Sequence, residues 1–153
     1  MPKKKKTSSK PTPVPQSKYP KLTLLTPIYN RNKWLHLMIA NVVTMDYEKK
    51  DLTWFILDSK DGDEDIRLFN SIEEQKLVED AIAPIKLVYQ YIPRKMTIAE
   101  KRNYLVKHSP TNWWANMDSD DIYMESYLRY SIDKMKAEKK ELCGSKQMLF
   151  IYP

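Results

Sequence analysis

Residues 118–121, Asp-Ser-Asp-Asp, end a short apolar run with three carboxylates in four positions. Like charges this close raise one another's energy in a dry interior. They belong at a solvent-facing strand mouth, where a hard cation can neutralise them. Magnesium and manganese prefer oxygen donors and keep waters in their shell, so a set this small points to an open site shared with a phosphate-bearing ligand. If strand alternation persists past Met117, Asp118 and Asp120 share one side. One would then accept from a sugar hydroxyl while the other meets a cation that bridges two phosphates. The plainer alternative is a loop whose acids cap the following helix, with Asp121 as the cap.

Other polar positions suit the same chemistry. Asp58 emerges from a hydrophobic strand, where a carboxylate can accept from the imide N–H of a uracil ring or serve as an ordinary loop acid. Pro27 and Tyr29 can wall a flat base or sugar. Arg31, Arg94, Lys95, Lys101 and Arg102 follow strand ends or lie on the next helix, with one or two expected to face a diphosphate and most to face water. Asn103 is a modest helix former at mid-helix, which hints at a hydrogen-bonding role inside a cleft. His36 and His108 read as surface or helix-end residues. No histidine–cysteine cluster suggests zinc. The aromatic residues sit in apolar periodic segments and are explained by packing first.

The elements that must position these groups alternate in type. Lys21–Thr26 reads as a strand closed by Pro27, and Asn32–Thr44 as a helix with Trp34, Leu35, Met38, Ile39 and Val42 on one stripe. Asp51–Asp58 is a nearly continuous apolar run, as in a strand covered on both faces. Asn70–Asp80 is helical, with Ser71 and Glu74 at capping spacing, and Ile85–Tyr91 is a strand after Pro84. Thr97 and Glu100 open another helix, with Ile98, Leu105 and Val106 as its apolar positions. Trp113–Met117 is the strand that delivers the acids. Met124–Lys140 is a helix with Tyr127, Leu128, Ile132 and Met135 inward, and Gln147–Tyr152 is a last strand. This order predicts a three-layer α/β domain with a largely parallel sheet. Ligands of such sheets sit beyond the carboxyl ends of the strands, where Thr26–Asn30, Asp58–Asp65 and Asp118–Asp121 all fall.

Composition excludes several classes. At 153 residues the chain is expected to form one domain, 19–153, behind a Lys/Pro-rich tail, 1–18, expected to be disordered. Gly62 and Gly144 are the only glycines, so P-loop and dinucleotide glycine motifs are absent. The net charge of +6 equals the six lysines of residues 1–18; removing them from 26 basic residues leaves 20, against 20 acids. A formally neutral body gives no charge-based reason to expect nucleic-acid binding. The tail lysines suit solubilisation, nuclear entry or weak contact with anionic lipid. No apolar run approaches ~20 residues, so no transmembrane span is expected. The lone Cys143 fits a reducing, cytoplasmic setting.

Four segments together resemble the nucleotide-sugar-binding half of a family 2-type glycosyltransferase of the GT-A fold. Thr26-Pro27-Ile28-Tyr29-Asn30-Arg31 resembles the first loop, which contacts the nucleoside. Leu57-Asp58-Ser59, followed by Asp61-Gly62-Asp63, is similar to the second strand end, which makes Asp58 the acid that reads the base. Ala99-Glu100-Lys101-Arg102-Asn103 resembles the helix that sets a basic residue and an asparagine, Arg102 and Asn103, beside the donor. Met117-Asp118-Ser119-Asp120-Asp121 resembles the DxD motif, so that Asp118 would touch ribose or sugar and Asp120 would bind the metal. The resemblance implies a nucleoside-diphosphate sugar, first of all a UDP-sugar, bound with Mn2+ or Mg2+ and transferred to an unknown acceptor hydroxyl. The glycine often found ahead of the asparagine-bearing helix is replaced by Pro93-Arg94-Lys95-Met96-Thr97. Family members continue past this point with an acceptor-side segment that normally holds the catalytic base. The expected domain is therefore short on its C-terminal side, and self-association or a partner chain is expected to complete the sheet.

Two rivals remain open on the sequence. One is a nucleotide-sugar-binding module without independent activity. The other is a sugar nucleotidyltransferase, although Pro27-Ile28-Tyr29-Asn30 is a poor phosphate loop.

Overall fold

A computed structural model of the chain describes residues 17–60 and 66–144. Four strands form one parallel sheet: β1 (Leu22–Ile28), β2 (Leu52–Ser59), β3 (Lys86–Ile92) and β4 (Trp113–Asn116), in the spatial order β3-β2-β1-β4. Helices α1 (Leu35–Thr44), α2 (Ile72–Ile82), α3 (Ile98–Lys107) and α4 (Tyr127–Glu138) alternate with them. The expected strand Gln147–Tyr152 and the Asp61-Gly62-Asp63 segment lie outside the described residues.

Side-chain alternation sorts the core into two halves. Leu22, Leu24, Ile28, Trp54 and Ile56 meet Met38 and Val42 of α1, Val78 and Ile82 of α2, and Leu128 and Ile132 of α4. Leu25, Phe55 and Leu57 point the other way, against Met96 and Leu105. Both central strands are buried along their whole length, as a sheet covered on both faces requires.

The topology creates the crevice. The chain steps from β1 to β2 to β3 in one direction, then returns to place β4 on the far side of β1. Right-handed crossovers put helices of opposite steps on opposite faces, which is why α3 lies apart from α1 and α2. Strand order therefore reverses at β1, and a crevice opens between the carboxyl ends of β1 and β4, the usual ligand position in such sheets.

Several boundaries differ from expectation. Pro27 does not close β1; the strand runs on to Ile28. Its pairing with β4 ends at Leu25 and Asn116, after which Met117 donates its N–H to the Leu25 carbonyl. By strand alternation Pro27 faces the same side as Leu25, where the β4 ladder has already ended, so its missing N–H breaks no bond. Helix α4 begins at Tyr127, not Met124, which is exposed. The Thr97–Glu100 capping box forms in full, but Ile98 and Val106 are exposed and Lys101 is buried with Leu105. Among the described residues, no helix is long and apolar enough to cross a membrane.

Candidate functional site

The acidic segment is a turn, not a continued strand. Regular pairing stops at Asn116, and residues 119 and 120 form the turn. Strand periodicity therefore does not govern Asp118 and Asp120. Asp121 does not cap α4, whose first turn lies beyond it and whose N-cap, Ser126, makes no side-chain cap bond. Instead the segment is clamped from the side. Asn41, buried on α1, donates to the Asp121 carbonyl at 2.8 Å and accepts from the Tyr123 N–H at 3.0 Å. The Tyr123 hydroxyl then accepts from the Asp118 N–H at 2.8 Å. One amide thus fixes the exit of the turn, and one phenol fixes its entry.

The other wall comes from β1. Asn30 adopts a left-handed backbone (φ 48°), which asparagine tolerates better than most residues, and so turns the chain across the strand end. Pro27, Ile28, Tyr29 and Arg31 then face the acids across an open cleft of about 600 Å³. Trp34, Met96, Ile98, Lys101 and Arg102 complete the lining with Asp118, Ser119, Asp120 and Asp121. Arg102 donates to both carboxylate oxygens of Asp118, at 3.0 and 3.2 Å, and Arg31 pairs with Asp120 at 3.6 Å. Burial, then the charges of Asp118 and Asp120, raises the pKa of Asp121. Among the described residues, no group of three or more acidic, histidine or cysteine side chains forms a ready-made metal cage. What the cleft offers is two partly solvated carboxylates, a donor set suited to a cation that takes its remaining ligands from water and phosphate.

Asp58 stands on the other side of β1. It pairs with Ile28 in the β1–β2 register, so one strand separates it from β4, a span of about 10 Å at ordinary strand spacing. It belongs to the same sheet edge as the acidic turn but is buried and does not line the cleft. Its Oδ2 accepts from the Leu68 N–H and the Tyr89 hydroxyl, both at 2.9 Å. Its Oδ1 is buried with no hydrogen-bond partner among the described residues. Burial pushes its pKa up against the opposing pull of those two bonds, of the neighbouring Ser59 N–H and of Lys101.

The family described as Glycosyl transferase family 2 matches residues 23–149. The chain belongs to this family. Solved structures share its fold. The mannosyltransferase PcManGT from Pyrobaculum calidifontis, in complex with GDP-Man and Mn2+, is 16% identical with a TM-score of 0.61 over 77% of this chain and 33% of that one. TarS of S. aureus in complex with UDP-GlcNAc is 17% identical with a TM-score of 0.61 over 78% of this chain and 32% of that one. The chain thus spans about a third of the solved structures it matches. No curated protein sequence matches it.

Of the positions expected to serve this family 2 domain, the cleft gathers Pro27, Tyr29, Arg102, Asp118 and Asp120. Thr26 is buried and accepts from the Trp54 indole N–H at 2.9 Å, so it supports β1 from below. Asn103 is exposed, outside the lining. Two residues stand out only in three dimensions. Lys101 is buried, donates to the Ile28 carbonyl and lies 5.2 Å from the Tyr29 ring centroid, bracing the first loop. Asn41 sits on the expected inward stripe of α1 between Met38 and Val42. A buried amide on an apolar stripe was the available signal for it.

Two outcomes follow from this geometry. Asn41→Ala leaves the Tyr123 N–H and the Asp121 carbonyl without their partner and should cost about 2 kcal/mol in denaturant unfolding. Because folding raises the Asp58 pKa, its ionised form costs stability, and that cost grows as pH rises from 3.8 through the folded value. The stability of Asp58→Asn relative to the parent should therefore increase between pH 4 and pH 7, read from unfolding midpoints at both; a decrease would contradict the burial argument.

Proposed function

We propose that this chain is the donor-binding part of a family 2 glycosyltransferase, holding a nucleoside-diphosphate sugar in the crevice between β1 and β4 for transfer to an acceptor hydroxyl. The observation that carries the reading is the convergence of the first loop, α3 and the acidic turn on one cleft. In this reading Asp120, with Asp118, would hold Mn2+ or Mg2+, and a bound cation supplies charge neutralisation for the departing diphosphate. Pro27 and Tyr29 would wall the nucleoside, with Thr26 supporting them. Arg102 would face the diphosphate, and Asn103 would stand at the rim of the donor site.

The base is assigned to uracil. Asp58 has one oxygen engaged by Leu68 and Tyr89 and one without a partner. A base seated beside Asp58 would have to uncover this buried oxygen, and the imide N–H of uracil is then the donor that suits it. Guanine presents two adjacent donors, and cytosine has no ring N–H at that position.

Among the described residues, no carboxylate beyond Asp121 lines the cleft. Asp133 accepts from the Tyr19 hydroxyl, Glu138 pairs with Lys134, and Glu125 is exposed. Donor binding is therefore the function assigned to this chain, with slow transfer or none by the chain alone. A nucleotide-sugar-binding module is the second reading, and the same observation favours it. The acceptor-side base and a cover for the outer edge of β4, where Trp114 is exposed, are assigned to residues outside those described, to a second copy or to a partner.

Calorimetric titration with UDP, GDP and CDP, each with and without Mn2+, tests the proposal. UDP should bind most tightly and only with the cation at full strength, and Asp120→Ala should lose at least about tenfold in the presence of Mn2+. Equal affinity for all three nucleotides, or indifference to Asp120, would contradict it.

A further inference from the structure

Each acid assigned to the cation already carries its own arginine. Arg102 reaches Asp118 from α3, and Arg31 reaches Asp120 from the loop after β1. All four side chains line the cleft, and each is a third to a half exposed: 37% and 46% for Arg31 and Asp120, 45% and 36% for Arg102 and Asp118. Half-solvated pairs of this kind are weak and exchange readily. Lys101 differs, because it is buried with its ammonium on the Ile28 carbonyl. It is a fixed charge in a cleft whose two other lining cations rest on the acids.

A carboxylate that donates its lone pairs to a divalent cation cannot hold a guanidinium at the same oxygen without setting two positive charges side by side. A cation that takes the oxygen the arginine holds, Oδ2 of Asp120 for Arg31 and either oxygen of Asp118 for Arg102, therefore displaces the arginine. A released guanidinium in this open cleft finds its best new partner in the oxygens of a diphosphate, which its planar fork matches.

The geometry points to an exchange of counter-ions. Arg31 and Arg102 neutralise Asp120 and Asp118 until a divalent cation takes the carboxylates, and both guanidiniums then turn to the diphosphate. This rests on the nucleotide-sugar reading above and adds to it a coupling mechanism and a role for Arg31. The cation and the diphosphate load with positive cooperativity, each raising the affinity for the other by the same factor. Arg31 contributes to nucleotide affinity only when the cation is present, because without it Arg31 is spent on Asp120.

Calorimetry on the full chain with UDP as the probe, with and without saturating Mn2+, tests this through two variants. Arg31→Gln should weaken UDP about fivefold with Mn2+ and less than about twofold without it. Asp120→Asn should strengthen UDP about threefold without Mn2+, because it frees Arg31, and should abolish the response to Mn2+. An equal loss in Arg31→Gln with and without Mn2+ would mean a fixed phosphate contact and overturn the exchange, as would no change in either condition. A parent chain that binds UDP with no response to Mn2+ overturns the exchange and the cation assignment together, a result visible before any variant is made.

Discussion

Three carboxylates crowd one short turn at the carboxyl edge of the sheet, and their mutual repulsion has to be held in check by what surrounds them. The fold restrains the turn in two ways. Asn41 and Tyr123 pin its backbone, so the acids cannot relax apart by unwinding the turn. Arg31 and Arg102 supply positive charge from two separate elements. Burial first, and then the two neighbouring acids, raise the pKa of Asp121. Arg31, Lys101 and Arg102 match the three acids in the cleft lining, and in the proposed reading a divalent cation would compete with them for the carboxylates.

Chain handedness places the turn opposite its partners. Because strand order reverses at β1, the loop after β1, the start of α3 and the turn after β4 meet at one crevice. Lys101 then ties α3 to the Ile28 carbonyl and so fixes the width of that crevice from below. Asp58 is delivered by β2 to the same edge but on the other side of β1. In the proposed reading, that strand would divide the site into a base end and a phosphate end. Membership in glycosyl transferase family 2 is consistent with this division of labour.

Much of the fold was legible in local pattern. Short apolar segments located all four described strands, and the caps at Ser71 and Thr97 were readable because capping depends on residues three apart. What was not legible depended on contacts distant in sequence. Asn41 meets Asp121 eighty residues along the chain, and nothing local announces that pairing. Pro27 reads as a strand terminator until the side on which β4 stops pairing is known. The burial of Lys101 in place of Ile98 goes with its bond to the Ile28 carbonyl, 73 residues away in sequence, which periodicity alone does not announce. Of the expected positions, the acids, Tyr29 and Arg102 line the cleft. Asn103 and Thr26 have the right types, but the backbone directs one to solvent and the other into the core.

Paramagnetic broadening of backbone amide signals by Mn2+ in the presence of UDP would locate the bound cation directly. Loss of signal should centre on Ser119, Asp120 and Asp121, extend to Tyr29, Arg31 and Arg102, and spare α2. Broadening centred on α2, or spread evenly over exposed acids such as Glu73 and Glu138, would contradict a cation held between β1 and β4.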